Sequence, residues 1–195
     1  IAIIVGGRLG YVLFYNLNYF FSNPLEILFI WKGGMSFHGG LLGIIIATIF
    51  FSHKKKLNEL TLLDTVSCVA PVGIFFGRLA NFVNGELYGK PTDLPWAVTF
   101  PLIDYQGRHP SQIYEALLEG VLLFLILNIV IKKNKYKQGE CAALFLIFYS
   151  IFRITSEFFR EPDLQIGYIF HYVSMGSILS FIMFCSGIIM YIKIK

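Results

Sequence analysis

The sequence predicts an all-α protein, a polytopic transmembrane helix bundle of six spans with a small cap outside the membrane, and three observations carry that prediction. Of its 195 residues, 56% are hydrophobic and only 14% are charged, too little polar surface to clothe a soluble domain of this length. Six apolar runs, near residues 1–22, 37–52, 60–84, 112–131, 140–159 and 168–192, mostly approach the ~20 residues a helix needs to cross a bilayer. Lysines gather at alternate ends of these runs, at Lys54, Lys55 and Lys56, then Lys132, Lys133, Lys135 and Lys137, then Lys193 and Lys195. Such clusters mark cytoplasmic ends, so the first run points outward and the carboxyl terminus lies inside. The formal charge of +4 is thereby spent on topology, and no nucleic-acid partner is expected.

The first run begins at Ile1, without methionine and already apolar, so it is read as part of a longer protein and not as a cleavable signal. The second run is short. Its Gly39, Gly40 and Gly43 either admit another backbone or mark a helix that starts below the interface after buried coil. The third run ends in GRLANFVNGELYG, Gly77 to Gly89, where an arginine, two asparagines and a glutamate follow a long apolar stretch. An intramembrane arginine costs a few kcal/mol even on lenient insertion scales, so Arg78 is expected to face protein, a watery cavity or an anionic ligand.

Residues 86–109 carry Pro91, Pro95, Pro101, Trp96 and Phe100, which favours a small folded cap outside the membrane over a flexible linker. The cap leads through Arg108, His109, Pro110, Ser111, Gln112, Tyr114 and Glu115 into the fourth run, with Pro110 suited to a helix start. On the fifth run Tyr149, Arg153, Glu157 and Arg160 recur at steps of four, four and three, a single helical stripe with Arg153 deepest of its charges. The opposite connections hold Lys32, Lys90, Arg108 and Arg160, three of them beside acidic neighbours. Cys68, Cys141 and Cys185 all fall in apolar runs and read as packing residues without disulfide or metal spacing. A short echo, Gly7-Arg8-Leu9-Gly10 against Gly77-Arg78-Leu79-Ala80, falls on two outward runs and keeps a parallel-repeat transporter in view.

Each polar residue has a plain role as well as a chemical one. Arg8, Arg78, Arg153 and Arg160 either bind helices together through Asp64, Glu86 and Glu157, or serve an anionic headgroup, because they outnumber the carboxylates at comparable depth. A guanidinium fork matches phosphate well. His38, flanked by glycines, is either a hydrogen-bonded interface residue or a base beside room for substrate. Asn84 caps the helix end or meets a ligand, and Asn81, one turn from Arg78, favours the ligand. Gly85 and Gly89 read as turn glycines. With no HExxH helix, no GxSxG elbow and no P-loop, the site is of a kind that positions two substrates and stabilises charge, without metal or cofactor.

These residues resemble the signature of the prolipoprotein diacylglyceryl transferase family. The resemblance lies in Gly77 to Gly89 and extends through GGRLGYVLFYN (Gly6 to Asn16), GGMSFHGG (Gly33 to Gly40), RHPSQIYEALLEG (Arg108 to Gly120) and YSIFRITSEFFREPD (Tyr149 to Asp163). It implies seven transmembrane helices in the whole protein, so the chain is expected to lack the first helix and a functional tyrosine upstream. It also implies a single transferase domain over 1–195 in the bacterial inner membrane, with the site towards the outer face. The implied reaction moves diacylglyceryl from phosphatidylglycerol to the lipobox cysteine of a preprolipoprotein signal peptide. By position in the motifs, His38, Arg78, Asn81, Glu86, Gly89, Tyr149, Arg153 and Glu157 stand where the family's functional residues stand. On this reading His38 is the base with Tyr149 assisting, Arg78 and Arg153 stabilise phosphate, and Asn81, Glu86, Gly89, Glu157 and Arg160 complete the phosphatidylglycerol site. The competing classes are a transporter or flippase for an anionic lipid, and a structural membrane protein.

Overall fold

A computed structural model describes residues 1–133, 136–162, 167, 169 and 173–195. Lys135, Asp163 and the expected start of the sixth run at Tyr168 lie outside the described residues. The chain forms two compact units that divide after Leu63.

In the first unit the opening apolar run is not one helix. It breaks at Asn16 into α1 (Ala2–Tyr15) and α2 (Leu17–Ser22), with Asn16 in a non-helical conformation at φ −152°. Two short 3₁₀ turns, Pro24–Leu28 and Ile30–Lys32, carry the chain to α3 (Phe37–Lys55), whose N-cap Ser36 accepts from the Gly39 amide at 3.3 Å. The glycines of α1 and α3 bear out one reading of the second run, the admission of another backbone. A Cβ on Gly10 would lie 2.6 Å from Gly39 Cα, and one on Gly6 would strike the Gly39 carbonyl. The helices therefore cross backbone to backbone, which only small residues permit.

The second unit takes α4 (Glu59–Asn84) from Asp64 onward, then the loop, then α5 (Ser111–Ile131), α6 (Glu140–Glu157) and α7 (Met175–Ile194). Gly85, at φ +68°, turns the chain out of α4 as a turn glycine should. The loop is ordered by an antiparallel pair, β1 (Val98–Thr99) and β2 (Gly107–Arg108), with Val98 opposite Arg108. Residues Ala116–Leu122 of α5 are wound as π-helix, and the Leu123 amide donates to the Leu118 carbonyl five residues back. Leu123, Leu127, Cys141, Ala143, Phe145 and Tyr149 are buried between these helices.

Four described helices, α3, α4, α5 and α7, are long and apolar enough to cross a membrane. Helix α1 is shorter, at 14 residues, and α6 carries Glu140, Arg153 and Glu157 within its 18 residues. Those charges are the reason α6 departs from the apolar pattern.

Candidate active site

The second unit gathers a cluster of buried charges on α4, α5 and the end of α6. Arg78 emerges from α4 with its side chain 11% exposed and grips two fully buried glutamates of α5. Its Nη1 lies 2.8 Å from Glu115 Oε2, while its Nε and Nη2 donate to Glu119 Oε2 at 3.3 and 2.9 Å. Arg153 on α6 donates through Nη1 to Glu115 Oε1 at 2.5 Å and sets Nη2 2.8 Å from Glu157 Oε2. Arg160 reaches the same Glu115 oxygen at 3.4 Å.

The stripe from Tyr149 to Glu157 is therefore inward-facing, as its helical spacing predicts, and contains the expected ion pair. Arg160 lies three residues beyond the end of α6, and joins the cluster from the connecting segment. The first turn of α7 closes over it. A Cβ on Gly176 would sit 3.4 Å from Arg153 Nη2 and 3.5 Å from Glu157 Oε1.

Among the described residues three guanidinium groups thus face three carboxylates, which corrects the expectation that arginines outnumber acids here. The missed partners are Glu115 and Glu119. Both stand in RHPSQIYEALLEG, but the π-helical turn that carries Glu119 leaves no mark in residue type. Asp64 is also no partner of an arginine. Its carboxylate accepts from the Gly139 and Ala142 amides at 2.7 and 2.9 Å, capping the start of α6. Desolvating ion pairs offsets much of their attraction, so a buried cluster of this size is poorly explained by stability alone.

The remaining motif residues surround the end of α4. Asn81 donates to Glu86 Oε2 at 3.0 Å and its carbonyl receives the Glu86 amide at 2.8 Å, so the two residues fix the exit from the helix together. Gly89 corrects the turn-glycine reading. It has no positive φ, and a Cβ there would meet the His109 and Phe159 carbonyls. Its amide donates to the His109 carbonyl at 3.1 Å, and it bridges Arg160 in antiparallel fashion, tying the loop to the segment after α6. Gln112 Nε2 and Ser111 Oγ donate to the Glu86 and Leu87 carbonyls at 2.6 and 2.9 Å. Arg108 braces the loop, donating to Gly89 O at 3.0 Å and Asp104 Oδ2 at 2.6 Å, with Glu161 Oε2 at 3.3 Å from Nη1. That guanidinium holds the Asp104 carboxyl below its ordinary value by hydrogen bonding.

In the first unit His38 is buried in the opening turn of α3, its ring edge-on to Phe37 at 5.6 Å. Arg8 is held by backbone carbonyls. Its guanidinium donates to the carbonyls of Glu26, Ile27, Phe29, Gly33 and Gly34 at 2.5–3.4 Å. The Gly-Arg-Leu echo therefore has no shared chemistry, because Arg8 caps backbone where Arg78 holds glutamates.

Four apolar helices of spanning length, with a buried arginine–glutamate cluster in the unit that holds three of them, define a polytopic helical membrane protein with an internal charged site. Comparison with known proteins narrows this. The chain belongs to the prolipoprotein diacylglyceryl transferase family, whose model matches residues 1–193. Among its relatives, the phosphatidylglycerol–prolipoprotein diacylglyceryl transferase of Rickettsia bellii is 56% identical over 195 residues, covering 99% of this chain and 74% of that protein. Transferases of the same description from Rhodospirillum rubrum and Geobacter sulfurreducens are 53% and 50% identical, over 97% and 100% of this chain and 70% and 75% of theirs.

Proposed function

We propose that this chain transfers the diacylglyceryl group of phosphatidylglycerol to the lipobox cysteine of a preprolipoprotein, the first step of lipoprotein maturation. The thiol sulfur attacks the glycerol carbon, the carbon–oxygen bond to phosphate breaks, and a thioether forms. Glycerol phosphate departs, taking up the proton lost by the thiol. A free thiol has a pKa of ~8.5, so His38 takes that proton, with Tyr149 assisting. Negative charge grows on the leaving phosphate, and Arg78 and Arg153 stabilise it. Asn81, Glu86, Gly89, Glu157 and Arg160 form the rest of the headgroup site.

The observation that carries this reading is Arg78 itself, an arginine at the end of an apolar helix, held by two carboxylates while part of its side chain stays accessible. A phosphate can meet a fork oriented in this way without the fork having to be ordered first. We place the protein in the bacterial inner membrane with six spans in this chain and seven in the whole protein. The site and the 86–109 cap lie on the outer side, and the carboxyl terminus is cytoplasmic. All 195 residues act as one transferase domain.

One incubation tests the function. Purified protein, phosphatidylglycerol and a lipobox peptide should yield peptide heavier by one diacylglyceryl group, joined at cysteine, by mass spectrometry. Movement of lipid between leaflets without that adduct would indicate a flippase.

A further inference from the structure

The mechanism above leaves a fully buried partner of Arg78 unused. Glu119 is fully buried, and among the described residues it is the one that engages the Nε–Nη2 edge of the Arg78 guanidinium. Glu119 Oε1 also lies 3.9 Å from Arg153 Nη1, a longer contact than those to Arg78, whereas Glu115 is shared closely among Arg78, Arg153 and Arg160. Two features of α5 bring Glu119 there. It stands in the π-helical stretch Ala116–Leu122, a rare winding that is frequent at functional sites. The next residue, Gly120, lies against α4 one turn before Arg78, where an added Cβ would come within 2.7 Å of Phe75 Cβ and 3.0 Å of Phe75 Cα. A larger residue would push the π-turn away from α4 and carry Glu119 with it.

We infer that Glu119 is a positioning residue for the transfer reaction, fixing the angle at which Arg78 meets the substrate phosphate. This rests on the assignment of Arg78 to the headgroup. Glu119 acts through Arg78 and touches no reacting atom. Its loss should lower turnover more than apparent affinity, because a misaimed fork still attracts an anion but no longer matches the charge developing on the leaving oxygen.

The test compares Glu119→Gln, Glu119→Asp, Arg78→Lys and the double variant Arg78→Lys/Glu119→Gln in detergent or nanodiscs, with phosphatidylglycerol and a lipobox peptide. Thermal melting is followed alongside kcat and KM for the lipid. The expected result is a fall in kcat of about 10- to 100-fold in Glu119→Gln with KM changed less than threefold. Glu119→Asp should recover part of that rate, and the double variant should be little slower than Arg78→Lys alone. Wild-type kcat in Glu119→Gln would overturn the inference, as would losses that multiply in the double variant. A loss in Glu119→Gln that tracks its folded fraction, with Glu119→Asp folded and equally slow, would also overturn it and leave a purely structural residue. If Arg78→Lys turns over normally, the headgroup assignment fails instead, a result separable from failure at Glu119 alone.

Discussion

Replacing Arg78 is informative in proportion to what is left behind. Arg78→Ala strips the fork from Glu119 and leaves a buried carboxylate without its partner, a loss that typically costs ~3–5 kcal/mol of stability. Arg78→Lys keeps the charge and discards the planar fork. It should remain in the membrane and lose roughly 10² in rate, and a near-normal rate in a product assay would exclude bidentate recognition. His38→Gln should be slow at neutral pH and recover as pH approaches the thiol's own value near ~8.5, where the acceptor ionises unaided. An undiminished, flat pH–rate profile would make His38 a packing residue. The sequence reveals these residues because a charge or an imidazole in an apolar run is conspicuous by type. Glu119 is just as polar, yet its partner is set by a π-turn and a glycine contact that emerge only from packing.

At the scale of elements, what the sequence makes legible is the set of helices, and what it conceals is where they stop and touch. Apolar runs found α3, α4 and α5 nearly to the residue, whereas Asn16 broke the first run because its backbone leaves the helical region. The glycines of α1 and α3 left two readings open, and the crossing bears out the close backbone approach. The loop after α4 offers a test of its own. Asp104 is kept ionised below its ordinary range by Arg108, so this pair stabilises the folded loop fully above the unfolded carboxyl pKa of ~3.9. That contribution should fade as pH falls through the lower folded value. Amide protection across residues 98–108, taken relative to the intrinsic exchange rate at each pH, should therefore fall on acidification below pH ~4, and Asp104→Asn should be less protected already at neutral pH with little further response to acid. Equal acid responses in both proteins would remove Asp104 from the account.

At the scale of the whole molecule, the alternating lysines make a topology that can be read chemically. Single cysteines placed at Lys133 and Gln106, in a background without Cys68, Cys141 and Cys185, should label from opposite sides of intact cells with an impermeant maleimide. Gln106 should react from outside, and Lys133 only after permeabilisation. Labelling of both from outside would refute the six-span arrangement. The charge cluster bears on the same bilayer in another way. A formal charge displaced across a membrane exchanges ~2.3 kcal/mol with the electric field for every 100 mV. Among the described residues three guanidinium groups are matched by three carboxylates, so these six groups, all ionised, sum to no net formal charge. Removing one member, as Arg78→Ala does, leaves the remaining five groups with a net formal charge on which that field acts.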